Sequence, residues 1–129
     1  MQADQKVTPF LWFERNAEEA ANHYVSTFAR SKILSASPSS VELVLDGQKL
    51  ILFNGGSAFK FTPAISLFVS CSTQEEIDSY WSKLLEGGRP SRCGWLTDRY
   101  GVSWQIVPDV LGELLQDEDR EREIGRAHV

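Results

Sequence analysis

The stretch Ala64-Ile-Ser-Leu-Phe-Val-Ser-Cys-Ser-Thr-Gln-Glu-Glu-Ile-Asp-Ser-Tyr-Trp-Ser-Lys-Leu-Leu85 changes its hydrophobic period in mid-course. Over residues 64–71 the side chains alternate. Ile65, Leu67, Val69 and Cys71 fall on one side, and Ser66, Phe68 and Ser70 on the other, which is the pattern of a strand. Beyond Thr73 the apolar residues stand at Ile77, Tyr80, Trp81, Leu84 and Leu85, the spacing of a helix with one buried face. Ser72 or Thr73 caps that helix with Glu75 or Glu76 as its partner, and Gly87-Gly88 ends it.

The same order stands earlier in the chain. Residues 7–13 read as a strand, with Pro9 near its start where a lost donor is tolerable. Asn16 reads as the cap of a helix, with Glu19 as its capping-box partner and Ala17, Ala20, Ala21, Tyr24 and Phe28 as the buried stripe. Phe13, Asn16, Glu18-Glu19 and Tyr24 align with Ser70, Thr73, Glu75-Glu76 and Trp81 at an offset of 57 residues. Short strands follow each helix. In the first half they are residues 32–36, 41–45 and 48–54, the last two joined by Asp46-Gly47, a strong hairpin signal. In the second half they lie around 89–92, 94–97 and 102–107, with Asp98-Arg-Tyr-Gly101 as a turn. One such half alone exposes a face of its sheet, so the two should associate. The expectation is an α+β fold in one domain spanning residues 1–129. It has two βαβββ half-units, about 7–56 and 64–108, their mixed sheets curled around a cavity with the helices on the outer face. Pro108-Asp109 should open a C-terminal helix with Val110, Leu111, Leu114 and Leu115. The mixed-charge run 117–123 reads as a solvated tail.

Composition narrows the function classes. A chain of 129 residues with 42% hydrophobic and 24% charged residues suits a globular domain that needs no disulfide or metal staple. A net charge of −5 without a basic cluster argues against nucleic acid. No apolar run approaches the roughly 18 residues that span a bilayer, so no membrane partner is expected. The start of the chain lacks the pattern of a signal peptide. Cys71 and Cys93 form no CxxC, and two thiols fit a reducing compartment. A cytoplasmic location is the expectation.

Strand parity also points to a site. Ser66 and Phe68 share a face of one strand, and Ser103, Gln105 and Val107 a face of the last, whereas Trp104 and Ile106 point the other way. A face of Ser, Gln and Phe has the make-up of a small-molecule cavity: apolar walls with a few polar groups to orient a ligand. Asn54, with Leu50 and Leu52, is expected to join it, and Phe13, Phe68 and Trp95 to stack on a planar or apolar compound. Contact with solvent or a dimer partner explains the same serines and Gln105. Core packing explains each ring taken alone. Two residues are weak catalytic candidates. Cys93, beside Arg92, is a candidate nucleophile but lacks a placed base, and a structural Cys is the commoner case. Asp98 is a candidate general base, though its place in a turn favours a turn-stabilising role. His23 sits on a helix face that reads as solvated, and His128 lies in the tail. No His, Cys and carboxylate cluster with metal-ligand spacing is visible, so no metal or other cofactor is expected.

The strings Thr8-Pro-Phe-Leu-Trp-Phe13, Ala17-Glu-Glu-Ala-Ala21, Phe53-Asn-Gly-Gly56, Phe59-Lys-Phe61, Cys93-Gly-Trp-Leu96 and Tyr100-Gly-Val-Ser-Trp-Gln-Ile-Val-Pro108 resemble the PhnB-like family. Many members of that family carry the label 3-demethylubiquinone-9 3-methyltransferase. The resemblance covers nearly the whole domain. It implies the vicinal oxygen chelate fold of the glyoxalase/bleomycin-resistance/dioxygenase superfamily, usually as homodimers. That superfamily commonly holds a divalent metal through His and Glu on the first and last strands of each unit. By strand position those places fall near Pro9, Leu50, Ala64 and Gln105, which should converge on a common interior, and three of them cannot ligate through a side chain. The methyltransferase label also lacks its usual support. Gly55-Gly56 is the one candidate for a glycine-rich methyl-donor turn, and no helical pattern follows it. Three functions therefore compete. The first is a metal-free binder of an unknown small molecule. The second is a metal-independent enzyme, methyl transfer included. The third is an interaction module without a ligand.

Overall fold

The computed structural model describes residues 5–109. The elements run β1 (Phe10–Phe13), α1 (Ala17–Thr27), β2 (Lys32–Ala36), β3 (Ser40–Leu45), β4 (Gln48–Asn54), β5 (Ser66–Cys71), α2 (Gln74–Leu85), β6 (Arg89–Pro90), β7 (Trp95–Thr97) and β8 (Ser103–Pro108). The βαβββ order occurs twice, in two compact units that divide between Lys60 and Phe61. Each unit carries one four-stranded mixed sheet, in the orders β1-β4-β3-β2 and β5-β8-β7-β6. The β1–β4 and β5–β8 pairs are parallel and the other pairs antiparallel. This is the α+β class expected. The expected C-terminal helix and charged tail lie outside the described residues, and Pro108 itself closes β8.

In the first unit α1 lies on β3 and β4 because its buried face is built from small residues. Ala17, Ala20 and Ala21 let the helix approach closely, and Tyr24 fills the space beyond them. Beneath it sit Val41 and Leu43 of β3, Leu50 and Leu52 of β4 and Phe13 of β1, each at most 1% exposed. Burial of a side chain such as Leu43, Leu50 or Leu52 stabilises the fold by roughly 2 kcal/mol. Asp46 and Gly47 have φ of 48° and 88°, the two positive values that the tight β3–β4 hairpin requires. Register sorts the rest. Phe10 pairs with Ile51 and Trp12 with Phe53, so these four side chains share the face away from α1. β2 is an edge strand with an irregularity between Ile33 and Ser35.

The start of the chain closes part of the opposite edge. β1 pairs with β4 only from Ile51 onward. One step earlier, the side-chain amide of Gln5 takes the place of a strand residue. Its Nε2 donates to the Lys49 carbonyl at 3.0 Å, and its Oε1 accepts from the Lys49 N–H at 3.2 Å.

In the second unit α2 begins with a capping box. Thr73 Oγ1 accepts from Glu76 N at 3.1 Å, and Glu76 Oε1 accepts from Ser72 N at 2.6 Å. Of its apolar stripe only Leu84 is fully buried, while Ile77, Tyr80, Trp81 and Leu85 are half-buried. The cause is the sheet beneath. β6 has two residues and β7 three, so the helix finds full cover mainly over β8. β7 approaches β8 through Gly94, whose φ is 84° and where a Cβ would come within 2.8 Å of the Ile106 carbonyl oxygen. Only glycine meets both conditions.

Candidate functional site

The ladder of the second unit brings five of the expected site residues together. Phe68 pairs with Gln105 and Gln105 with Trp95, so these three form one row across β5, β8 and β7. Ser66 pairs with Ser103 and Ser103 with Thr97, which makes a second row on the same face. Gln105 Nε2 donates to Ser66 Oγ at 2.9 Å and ties the two rows together. Phe68 is 52% exposed, whereas Ser103 lies at the base of the face at 2%. Trp95 is half-buried and its backbone is held by a tight turn, with its N–H donating to the Arg92 carbonyl and its carbonyl accepting from Ser91 N. The arrangement offers two rings, an amide between them and adjacent hydroxyls. Chemically it can orient a ligand by hydrogen bonds and cover an apolar surface.

Phe13 and Asn54 are not on this face. Both belong to the first unit and point toward α1, as do Leu50 and Leu52, which corrects the expected parity of β4. Phe13 is core, at 1% exposed. Asn54 is a helix cap from a distance. Its Oδ1 accepts from Ala17 N at 2.9 Å, and its Nδ2 donates to the Pro38 carbonyl at 3.1 Å. Asn16, the cap expected from local sequence, makes no capping side-chain bond. The helix N-terminal donor is thus satisfied from β4.

The weak catalytic candidates have definite places. Asp98 is buried, and both of its oxygens accept hydrogen bonds. Oδ1 takes Tyr100 N at 2.9 Å and Val102 N at 3.0 Å, and Oδ2 takes Trp104 Nε1 at 2.9 Å. It organises the 98–101 turn and anchors the Trp104 indole. Cys93 is exposed on the turn between β6 and β7, off the Phe68–Gln105–Trp95 row. Cys71 is buried at the end of β5, and burial, with Glu76 and Asp109 adding to it, pushes its thiol up to about 11. His23 is half-buried on α1.

A second surface went unread in the sequence. On the open face of the first unit Phe10 lies 5.2 Å from Phe53, Phe53 lies 5.2 Å from Trp12, and Trp12 lies 4.9 Å from Phe59, centroid to centroid. Trp12 Nε1 donates to the Gly56 carbonyl at 2.9 Å, and the indole packs against Gly55, where a Cβ would fall 2.3 Å from it. Gly55-Gly56 is therefore a seat for an indole that extends the β1–β4 pairing, with Gly55 N donating to the Phe13 carbonyl and Gly56 N to the Glu14 carbonyl. It does not open a helix. The alternation Phe10, Trp12 was the available signal for this face.

Among the described residues, metal donors do not assemble on either face. Of the four positions taken from strand order, Leu50 points into the core beneath α1 of its own unit, and Gln105 points away from α2 of its own. The open-face positions of the parallel pairs are Phe10, Trp12, Ile51 and Phe53 in one unit and Ser66, Phe68, Ser103 and Gln105 in the other. None is a His or carboxylate. Among the described residues no three His, Cys, Asp or Glu side chains come together. This donor set does not fit a divalent transition metal.

Comparison with known proteins gives the relationship. Residues 5–107 match the model of the family described as 3-demethylubiquinone-9 3-methyltransferase. The PhnB protein from Bacillus cereus is 39% identical, with 81% of this chain and 99% of that one covered and a TM-score of 0.73. FosX, the genomically encoded fosfomycin resistance protein from Listeria monocytogenes, solved with Mn(II) and sulfate, is 15% identical, with 91% and 99% covered and a TM-score of 0.63. A glyoxalase/bleomycin resistance protein/dioxygenase from Alicyclobacillus acidocaldarius is 14% identical, with 78% and 89% covered and a TM-score of 0.50. The last two show likeness of fold alone. No curated protein sequence matches. The match over residues 5–107 and the identity to the Bacillus cereus protein mean that this chain, whose fold is like that of the glyoxalase/bleomycin resistance protein, belongs to the 3-demethylubiquinone-9 3-methyltransferase family.

Proposed function

We propose that the protein is a cytoplasmic, metal-free binder of a small molecule with a planar, largely apolar body, taken on the open face of the second sheet. The row Phe68–Gln105–Trp95 supports this reading. Two rings on either side of a side-chain amide combine apolar contact area with a hydrogen-bonding group that fixes orientation. Ser66, bonded to Gln105, holds that amide in one orientation. Homodimer formation belongs to the same proposal and is read by light scattering.

Thermal-shift screening against a library of planar small molecules tests it. A ligand at about one hundred times its Kd stabilises the fold by about 2.7 kcal/mol, which in a chain of this size raises Tm by roughly 10 °C. The shift should vanish in Phe68→Ala, shrink in Gln105→Leu and persist in EDTA. Hits indifferent to both substitutions would remove the site, and hits abolished by EDTA would remove the metal-free part.

A further inference from the structure

The open face of the second sheet ends in a charge. Arg89 of β6 pairs with Thr97 of β7, so its side chain stands on the same side as Thr97, Ser103 and Ser66. The row across the sheet is therefore Ser66, Ser103, Thr97, Arg89: three hydroxyls closed by a guanidinium. The other residues of this face, Phe68, Ser70, Trp95, Gln105 and Val107, carry no formal charge. The carboxylates that flank β6 and β7 in the chain are engaged elsewhere. The Asp98 carboxylate holds Trp104 and the 98–101 turn, and Glu86 pairs with Arg99 at 3.0 Å. Among the described residues Arg89 makes no ion pair, and its side of the sheet holds no carboxylate to meet it.

We infer that the ligand of this face is an anion, a planar aryl carboxylate, with its rings lying between Phe68 and Trp95 and its carboxylate at Thr97 and Arg89. This rests on the function proposed above and names the class of molecule. Geometry supports the match. Adjacent strands are about 4.8 Å apart, so the Phe68 and Trp95 positions, two strands apart, are separated by roughly 10 Å, with Gln105 midway. A fused two-ring system laid across Gln105 spans that distance and reaches both rings. Thr97 lies two residues from Trp95 on the same side of β7, roughly 7 Å away, so a carboxylate on the ring edge nearest Trp95 comes within reach of the Thr97 hydroxyl and the flexible Arg89 fork. Guanidinium and carboxylate match as a bidentate pair. In a chain of net charge −5 an anion needs such a local seat, because the protein as a whole repels it.

The test uses 2-naphthoate and its neutral counterpart 2-naphthamide, titrated calorimetrically into the full chain, into Arg89→Gln and into Phe68→Ala. Arg89 is exposed at the sheet edge, so its substitution leaves the fold intact, which circular dichroism checks. The expected result is that naphthoate binds more tightly than naphthamide, that Arg89→Gln weakens naphthoate roughly fivefold to tenfold and leaves naphthamide unchanged, and that Phe68→Ala weakens both. Naphthoate binding should also weaken as salt is raised from 50 to 500 mM, about threefold or more. Equal binding of the two probes, lost in Phe68→Ala but unchanged in Arg89→Gln, overturns the anion inference and leaves the binding function standing. Failure of both probes to bind, or binding indifferent to Phe68→Ala, overturns the inference together with the function it rests on.

Discussion

Replacing Asp98 by asparagine exchanges one carboxylate oxygen for an amide, and the surroundings leave no good place for it. Oδ1 accepts two backbone N–H groups and Oδ2 accepts the Trp104 indole N–H, all at 2.9 to 3.0 Å. In one orientation the new NH2 faces the indole N–H, and in the other it faces Tyr100 N and Val102 N. Donor meets donor either way. A hydrogen bond to a charged group is worth about 1.5–3 kcal/mol, and a buried donor left unsatisfied costs about 1–3 kcal/mol. Asp98→Asn should therefore destabilise the fold by about 2–4 kcal/mol. Urea unfolding followed by circular dichroism measures this as a lowered midpoint at constant slope. Trp104→Phe removes the indole donor, so the amide at position 98 then faces no opposing N–H in that orientation. The double variant should be less destabilised than the sum of the singles by about 1 kcal/mol or more. Asp98→Asn within about 0.5 kcal/mol of the wild type, or strict additivity with Trp104→Phe, would refute the assignment of Asp98 as the organiser of the turn.

Asn54→Ala should cost about 1–2 kcal/mol, the loss of a cap plus the Pro38 bond, while Asn16→Ala should cost a few tenths; equal costs in urea unfolding would restore the local cap. Iodoacetamide at pH 8 should label Cys93 and spare Cys71 in the native protein, as peptide mass spectrometry reads directly. Burial raises the folded-state Cys71 thiol to about 11 against an ordinary 9.0, so its contribution to stability is complete below pH 9 and is lost as pH rises from 9 through 11. Cys71→Ser should flatten that part of the stability–pH curve. Gly55→Ala should displace the Trp12 indole and move its fluorescence toward that of a solvated indole, and an unchanged spectrum would show that the indole rests elsewhere.

Much of the fold was legible because local signals agreed with one another. The Asp46-Gly47 hairpin, the capping box of α2 and the alanine face of α1 each follow from residues close in sequence. The β8 alternation was readable because Ser103 and Gln105 contrast with Trp104 and Ile106. β4 had no such contrast: Leu50, Ile51, Leu52 and Phe53 are apolar on both faces, so its parity came out reversed. Phe13 was misjudged for a related reason. The helix caps align at an offset of 57, but two residues separate Phe13 from Asn16 whereas one separates Cys71 from Thr73. That single residue inverts which side a strand residue faces when the halves are aligned by their helices. The role of Asn54 in capping α1 depends on a partner 37 positions away, which no local rule can reach. Arg89 and Thr97 were missed because β6 and β7 are too short to carry a period.

The Gln5 amide seated on Lys49 has a bearing on how molecules of this protein behave in a crowded solution. A stretch of β4 with open N–H and C=O groups is a template on which a foreign strand can grow. One glutamine, reaching back from before the first strand, occupies the template with groups that cannot propagate it. A clipped or substituted start to the chain would uncover that template, and the earliest sign would be slow turbidity on storage rather than a lower melting point.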